Sequence, residues 1–133
     1  MTQAKAAIIS SDLDIVIART LARDTAKSLG FGPIDQARIA TAVSELARNI
    51  FLYAGTGSVT VRAVEKHGRK GIEIVCEDKG PGIANLDVSM QDGYSTSRGM
   101  GMGLPGARRL MDEFDIRTQE GSGTTITCCK WRT

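Results

Sequence analysis

One histidine and three cysteines leave this chain of 133 residues little with which to hold a transition metal. The cysteines, Cys76, Cys128 and Cys129, are odd in number and show no Cys-x-x-Cys spacing. With His67 in a polar, turn-forming stretch, a zinc site is a poor fit, and reduced, strand-borne thiols of a cytoplasmic protein are the plain reading. No run approaches the roughly 20 apolar residues of a membrane span. Ala6-Ala7-Ile8-Ile9 is too short for the apolar core of a signal peptide, so a cytoplasmic location without a leader is expected. A net charge of only +2 argues against a nucleic-acid footprint or a polybasic membrane patch. A Walker A loop and the signatures of eukaryotic-type kinases are also missing.

What is present is an ordinary globular composition, 41% hydrophobic and 24% charged, in a length that suits one domain over residues 1–133. Glycine stands out. Of 15 glycines, seven lie between Gly80 and Gly106. Such local enrichment means either a loose loop or a backbone shaped around something.

Periodicity predicts the order β-α-α-β-β-loop-α-β-β. Lys5 to Ser10 can form a first strand, and Ser10, Ser11 and Asp12 offer helix N-caps. From Leu13 to Leu29, Ile17, Leu21, Thr25 and Leu29 recur at helical spacing with Val16, Ala18 and Ala22 beside them, and Gly30 is a natural stop. A second helix is expected from Ile34 to Tyr53, with an apolar stripe of Ile39, Val43, Leu46, Ile50 and Tyr53. Ser58 to Val64 and Ile72 to Glu77 alternate as strands joined by the turn around His67. Ala84 to Arg98 lacks clear periodicity, though Asn85 to Met90 could make a helical turn. Pro105 suits the first turn of a short helix whose apolar face is Ala107, Leu110 and Met111. Phe114 to Thr118 and Thr124 to Trp131 complete the strands around a Glu120-Gly121-Ser122-Gly123 turn. A two-layer α/β sandwich follows, a mixed sheet with helices on one face; strand order does not emerge from periodicity.

Three stretches carry candidate chemistry. Alternation puts Ile72, Ile74 and Cys76 on one strand face, and Asp78 continues that face where the chain breaks into Gly80-Pro81-Gly82. A carboxylate aimed inward needs a partner. Either an internal backbone donor or a hydrogen-bonding ligand, such as an adenine amino group, would serve. Glu45 and Asn49 lie four residues apart and project from one helix face, which by itself describes a solvated flank as well as a site. Gly99, Gly101 and Gly103 alternate ahead of Leu104 and the short helix, where backbone N–H groups and the helix dipole could cradle phosphate. Gly101-x-Gly103-x-x-Gly106 also spells a dinucleotide fingerprint. That motif needs a strand directly before it, and Tyr94 to Arg98 is a poor one with no βαβ repeat around it.

Taken in order, Glu45-x-x-x-Asn49, Asp78-x-Gly80-x-Gly82, Gly99-x-Gly101-x-Gly103-Leu104 and Gly123-Thr124 resemble the N box, glycine boxes and terminal Gly-Thr of the GHKL ATPase/kinase superfamily, which includes gyrase, histidine kinases and MutL. The resemblance implies a Bergerat fold with ATP held between helices and sheet. Further stretches are similar to the RsbT-like branch, serine/threonine kinases of the bacterial stressosome. They include Asp35-Gln36-Ala37-Arg38-Ile39, Ser44 to Ile50, Leu52-Tyr53-Ala54-Gly55, Ser95-Thr96-Ser97 and Leu110 to Phe114. Where many superfamily members carry His-Gly, Tyr53-Ala54 stands here, a change that branch shares.

By that resemblance Asp78 accepts a hydrogen bond from the adenine amino group with Thr124 assisting. Gly80 and Gly82 let the backbone pass close to base and ribose. Asn49 coordinates Mg²⁺, Gly99, Gly101, Gly103 and Leu104 line the triphosphate, and Glu45 is the general base. Arg48 could stabilise phosphate charge, but solvent or a partner surface is the favoured expectation. The implied activity is phosphorylation of STAS-domain stressosome proteins, with binding and activation of a PP2C-type phosphatase or similar output protein on release. The alternatives are an anti-sigma factor kinase acting on an anti-sigma antagonist, or an ATP-gated binding module without transfer. A histidine kinase fragment fits poorly, since no dimerisation helix with a phosphoacceptor histidine precedes the motifs. The short segment from Ala84 to Arg98 argues against a gyrase-type machine with large lid motions.

Overall fold

The computed structural model describes residues 4–81, 103–119 and 121–132. The elements run β1 (Lys5–Ile9), α1 (Asp12–Ser28), α2 (Pro33–Tyr53), β2 (Gly57–Lys66), β3 (Arg69–Asp78), α3 (Gly103–Leu110), β4 (Glu113–Gln119) and β5 (Gly123–Trp131). Each expected helix and strand among these residues is there, with ends shifted by a few positions. The helical turn expected over Asn85 to Met90, and Gly82, Gly99 and Gly101, lie outside the described residues.

The five strands form one sheet in the order β1-β2-β3-β5-β4. The expected mixed sheet is corrected: all four pairings are antiparallel. The reason is directional. Two helices lie between β1 and β2, so the chain reverses three times and β2 returns antiparallel to its neighbour. β3 and β4 do share a direction, but β5 inserts between them.

Register sorts the side chains into rows that cross the sheet. On the inner face, Val61, Ile74, Cys128 and Phe114 make one row, and Val59, Cys76, Ile126 and Ile116 the next. Most of these residues are buried, and Phe114 and Ile116 pack partly buried against the same core as Ile39, Val43, Leu46 and Ile50 of α2. Outward-facing rows are polar, as in Arg62–Glu73–Cys129, where the Arg62 guanidinium donates to Glu73 at 2.6 Å. Among the described residues, helices therefore cover one face. At about 25 cal/mol per Å² of apolar surface, burial of this continuous inner face is the main stabilising contribution.

α1 presents a different face from the one its larger apolar residues suggest. Ile15, Ala18, Ala22 and Ala26 are buried, with Leu21 and Leu29 partly so. Val16 and Ile17 point outward, Ile17 at 48% exposure. Small residues win the inner stripe because they let the helix lie close to its neighbours. Its start is also inverted from the expected cap. Ser11 is the N-cap residue but its side chain does not cap a helix backbone N–H, while Asp14 accepts the Ser10 N–H at 2.9 Å and both serine hydroxyls. Tyr53, expected in the α2 stripe, is 40% exposed.

Between β2 and β3, Lys66 pairs with Arg69 across a two-residue turn of His67 and Gly68, both at positive φ (53° and 75°). That is the mirror-image turn whose twist matches a hairpin. It delivers β3 in register to Asp78.

Candidate nucleotide site

The inner-face row at the far end of the sheet differs from the others. It runs Ile9, Gly57, Asp78, Thr124 and Thr118. One row inward every position is apolar, so Asp78 sits where the hydrophobic face stops. Its Oδ1 accepts the Gly80 N–H at 2.9 Å, closing the turn after β3. Oδ2 takes no hydrogen bond from the described residues. Of the two partners considered from sequence, the internal backbone donor is present: one oxygen caps the loop.

Glycines let the backbone close in around this carboxylate. A Cβ on Gly57 would lie 2.7 Å from Ile50 Cγ2 and 3.1 Å from Asp78 Cβ. One on Gly80 would lie 2.5 Å from the Ala54 Cβ. Gly123, at φ +113°, passes so near the Asp78 carbonyl that no side chain fits there. The β4–β5 turn also reaches over, with the Gly121 N–H donating to the Pro81 carbonyl at 2.8 Å. Thr124 is buried at 7% exposure and its hydroxyl shares a 2.9 Å hydrogen bond with that of Thr118.

α2 forms the opposite wall. Its last turn packs on Gly57 and Gly80, and Glu45 and Asn49 lie half-buried on a shared face one turn apart, about 6 Å along the axis. α2 also packs against α3, whose Leu104 and Ala107 join the core together with Met111 just after it. Gly103 begins α3, so the expected cradle residue and Leu104 do open a helix. Lys130 of β5 anchors the other end, donating from Nζ to the Leu110 carbonyl at 3.0 Å, with Asp112 at 3.7 Å.

Arg48, expected to face solvent or a partner, is partly exposed and also paired within α2. Its Nη1 donates to Glu45 Oε1 at 3.1 Å, and its side chain is 37% exposed. Thr118 and Gly57 were missed. Both belong to the Asp78 row, which only register reveals. Among the described residues, no group of three or more His, Cys, Asp or Glu could hold a metal. A lone carboxamide such as Asn49 still fits Mg²⁺, which keeps several waters and leans on substrate phosphates.

The buried thiols play no visible part here. Burial pushes Cys128 up to about 12 and Cys129 to about 11, and it raises Cys76 well above the ordinary thiol value.

Comparison with known proteins places the chain in a family. Residues 34–132 match the family model of the histidine kinase-, DNA gyrase B- and HSP90-like ATPases. The serine/threonine-protein kinase RsbT of Bacillus subtilis (strain 168) is 55% identical over 123 residues, covering 92% of each chain. An anti-sigma F factor of Caldanaerobacter subterraneus subsp. tengcongensis is 32% identical over 101 residues, 71% of this chain and 69% of that one. Among solved structures, the histidine kinase domain of the Erythrobacter litoralis EL346 blue-light activated histidine kinase superposes with a TM-score of 0.54 at 20% identity. That match spans 90% of this chain and 59% of the other, and it speaks to the fold alone. The chain belongs to the histidine kinase-, DNA gyrase B- and HSP90-like ATPase family, and within it to the RsbT-like serine/threonine-protein kinases.

Proposed function

We propose that residues 1–133 act as one cytoplasmic kinase domain that moves the γ-phosphoryl group of ATP to a serine or threonine of a STAS-domain protein in a partner-switching pathway. The observation that carries the nucleotide part is Asp78, with Oδ1 engaged by Gly80, Oδ2 taking no hydrogen bond from the described residues, and the buried Thr124 its register partner. Oδ2 accepts the adenine amino group, and Thr124 assists. Gly80 and Gly82 give close approach to base and ribose. Gly99, Gly101, Gly103 and Leu104 line the phosphates at the start of α3. Mg²⁺, held by the Asn49 carboxamide, supplies charge neutralisation at the phosphate oxygens.

Glu45 performs the proton work. The acceptor hydroxyl oxygen forms a bond to the γ-phosphorus as the bond from that phosphorus to the β,γ-bridging oxygen breaks. ADP leaves with the bridging oxygen, and the hydroxyl proton passes to the Glu45 carboxylate. Such transfer depends on positioning and electrostatics more than on covalent help, which suits a site with one base and a glycine-lined wall. No helix among the described residues is long and apolar enough to cross a membrane. In the same reading, release from the STAS substrate frees the kinase to bind and activate a PP2C-type phosphatase or similar output protein.

The test is transfer of labelled phosphate from Mg-ATP to a STAS-domain protein encoded beside this one, for wild type, Asp78→Asn and Glu45→Ala. Wild type labels the acceptor, Asp78→Asn fails through weak nucleotide binding, and Glu45→Ala binds nucleotide but transfers about 10²- to 10⁴-fold more slowly. ATP binding by wild type without labelling of any STAS partner would overturn the kinase assignment in favour of a nucleotide-gated binding module. Similarity to anti-sigma F factors supports a second reading, in which the partner is a sigma factor and the substrate an anti-sigma antagonist. Capture of a sigma factor in the presence of ATP would favour it.

A further inference from the structure

The pair formed by Arg48 and Glu45 differs from a surface ion pair of the same helix. Arg38 and Asp35 have the same i,i+3 spacing and the same 3.1 Å separation, but their side chains are 52% and 25% exposed. Arg48 and Glu45 are 37% and 15% exposed. A carboxylate that far from water benefits from a fixed donor.

Helical geometry says where that donor stands. With about 100° per residue, Asn49 lies about 40° to one side of Glu45 around the α2 axis and Arg48 about 60° to the other. The guanidinium therefore holds the carboxylate from the flank opposite Asn49. A glutamate one turn from a metal-binding carboxamide is otherwise well placed to swing toward the cation and become a ligand. That would occupy the oxygen needed to take a proton.

We infer that Arg48 is a positioning residue for the phosphoryl transfer: it keeps Glu45 a base by holding its carboxylate away from the metal side of α2. The inference rests on the assignment of Glu45 and Asn49 proposed above. Arg48 itself forms and breaks no covalent bond, so its whole effect passes through Glu45.

The experiment is a double-mutant cycle with wild type, Arg48→Ala, Glu45→Ala and the double variant. ADP formation from Mg-ATP is measured with and without the STAS-domain acceptor, alongside nucleotide Kd and the melting temperature. Arg48→Ala lowers kcat about tenfold with KM for ATP and nucleotide Kd unchanged, as expected for a misplaced catalytic group. In the Glu45→Ala background the same substitution has no further effect on kcat. Arg48→Lys keeps the charge but lacks the fork, and it recovers only part of the rate. A structural role would lower the melting temperature or raise Kd and leave the cycle additive.

The outcomes separate the two assignments. If Glu45→Ala slows turnover and Arg48→Ala does not, or if the two effects multiply, the positioning role is overturned and Glu45 remains the base. If Glu45→Ala leaves turnover unchanged, or wild type forms no ADP under either condition, the base assignment is overturned and the positioning role with it.

Discussion

Because Oδ1 of Asp78 accepts the Gly80 N–H, an asparagine in its place keeps the turn while changing what faces the ligand. The carboxamide oxygen still serves Gly80, and the NH₂ group then meets the adenine amino group donor to donor. Asp78→Asn should therefore weaken ATP binding by about 10- to 100-fold, the worth of a hydrogen bond to a charged group. Isothermal titration measures that loss, and the melting temperature should hardly move. An unchanged Kd would remove Asp78 from base recognition. This residue was the most legible in the chain, because strand parity alone turned it inward. Arg48 was not legible: an i,i+3 acidic partner is as common on solvated helices as in sites, and only burial tells them apart.

Among the elements, α2 and the loop after β3 meet through one pair of small residues. A methyl group on Gly80 would collide with Ala54, so Gly80→Ala should destabilise by about 1–3 kcal/mol, the usual cost of overpacking. Ala54→Gly in the same chain should return part of that loss. Urea unfolding of the single and double variants checks the coupling; additive effects would mean the two elements do not touch as described. α3 depends on Lys130 in a similar way. Lys130→Met leaves the Leu110 carbonyl without its donor and should cost about 1–3 kcal/mol by the same measurement. The tie between Ala54 and Gly80 explains why sequence reading stopped short here. The family resemblance marked both segments, but their contact is long-range and leaves no periodic trace. The α1 face failed for another reason, since alanines filled the inner stripe while Leu13, Val16 and Ile17 went outward.

For the molecule as a whole, the three thiols give a titration signature. Cys128 is pushed up to about 12 by burial and Cys76 is raised in the same direction, while an unfolded thiol titrates near 8.5. The folded state therefore holds protons that the unfolded state releases. Stability from these groups is complete below the unfolded value and falls as pH climbs from about 9 toward 12. Urea midpoints at pH 8, 9 and 10 should decline, and Cys128→Ala should flatten that decline. Thiol alkylation at pH 8 should likewise track unfolding, because the native thiolate is scarce. The order of elements and the one-sided helix layer were readable from the switch between twofold and 3.6-fold patterns. Sheet direction was not, since it depends on how many helices intervene and on β5 inserting between β3 and β4.

β5 has one end at Asp78, through Gly123 and Thr124, and the other under α3, through Lys130. From Thr124 to Lys130 is six steps of strand, about 20 Å at the usual rise. The strand is in effect a caliper whose jaws are the carboxylate and the short helix. Its gauge is set by backbone ladder bonds rather than by any lining side chain. Point substitutions at either jaw would change that contact alone, whereas adding or removing a residue along β5 would change the spacing between Asp78 and the Lys130 tie to Leu110.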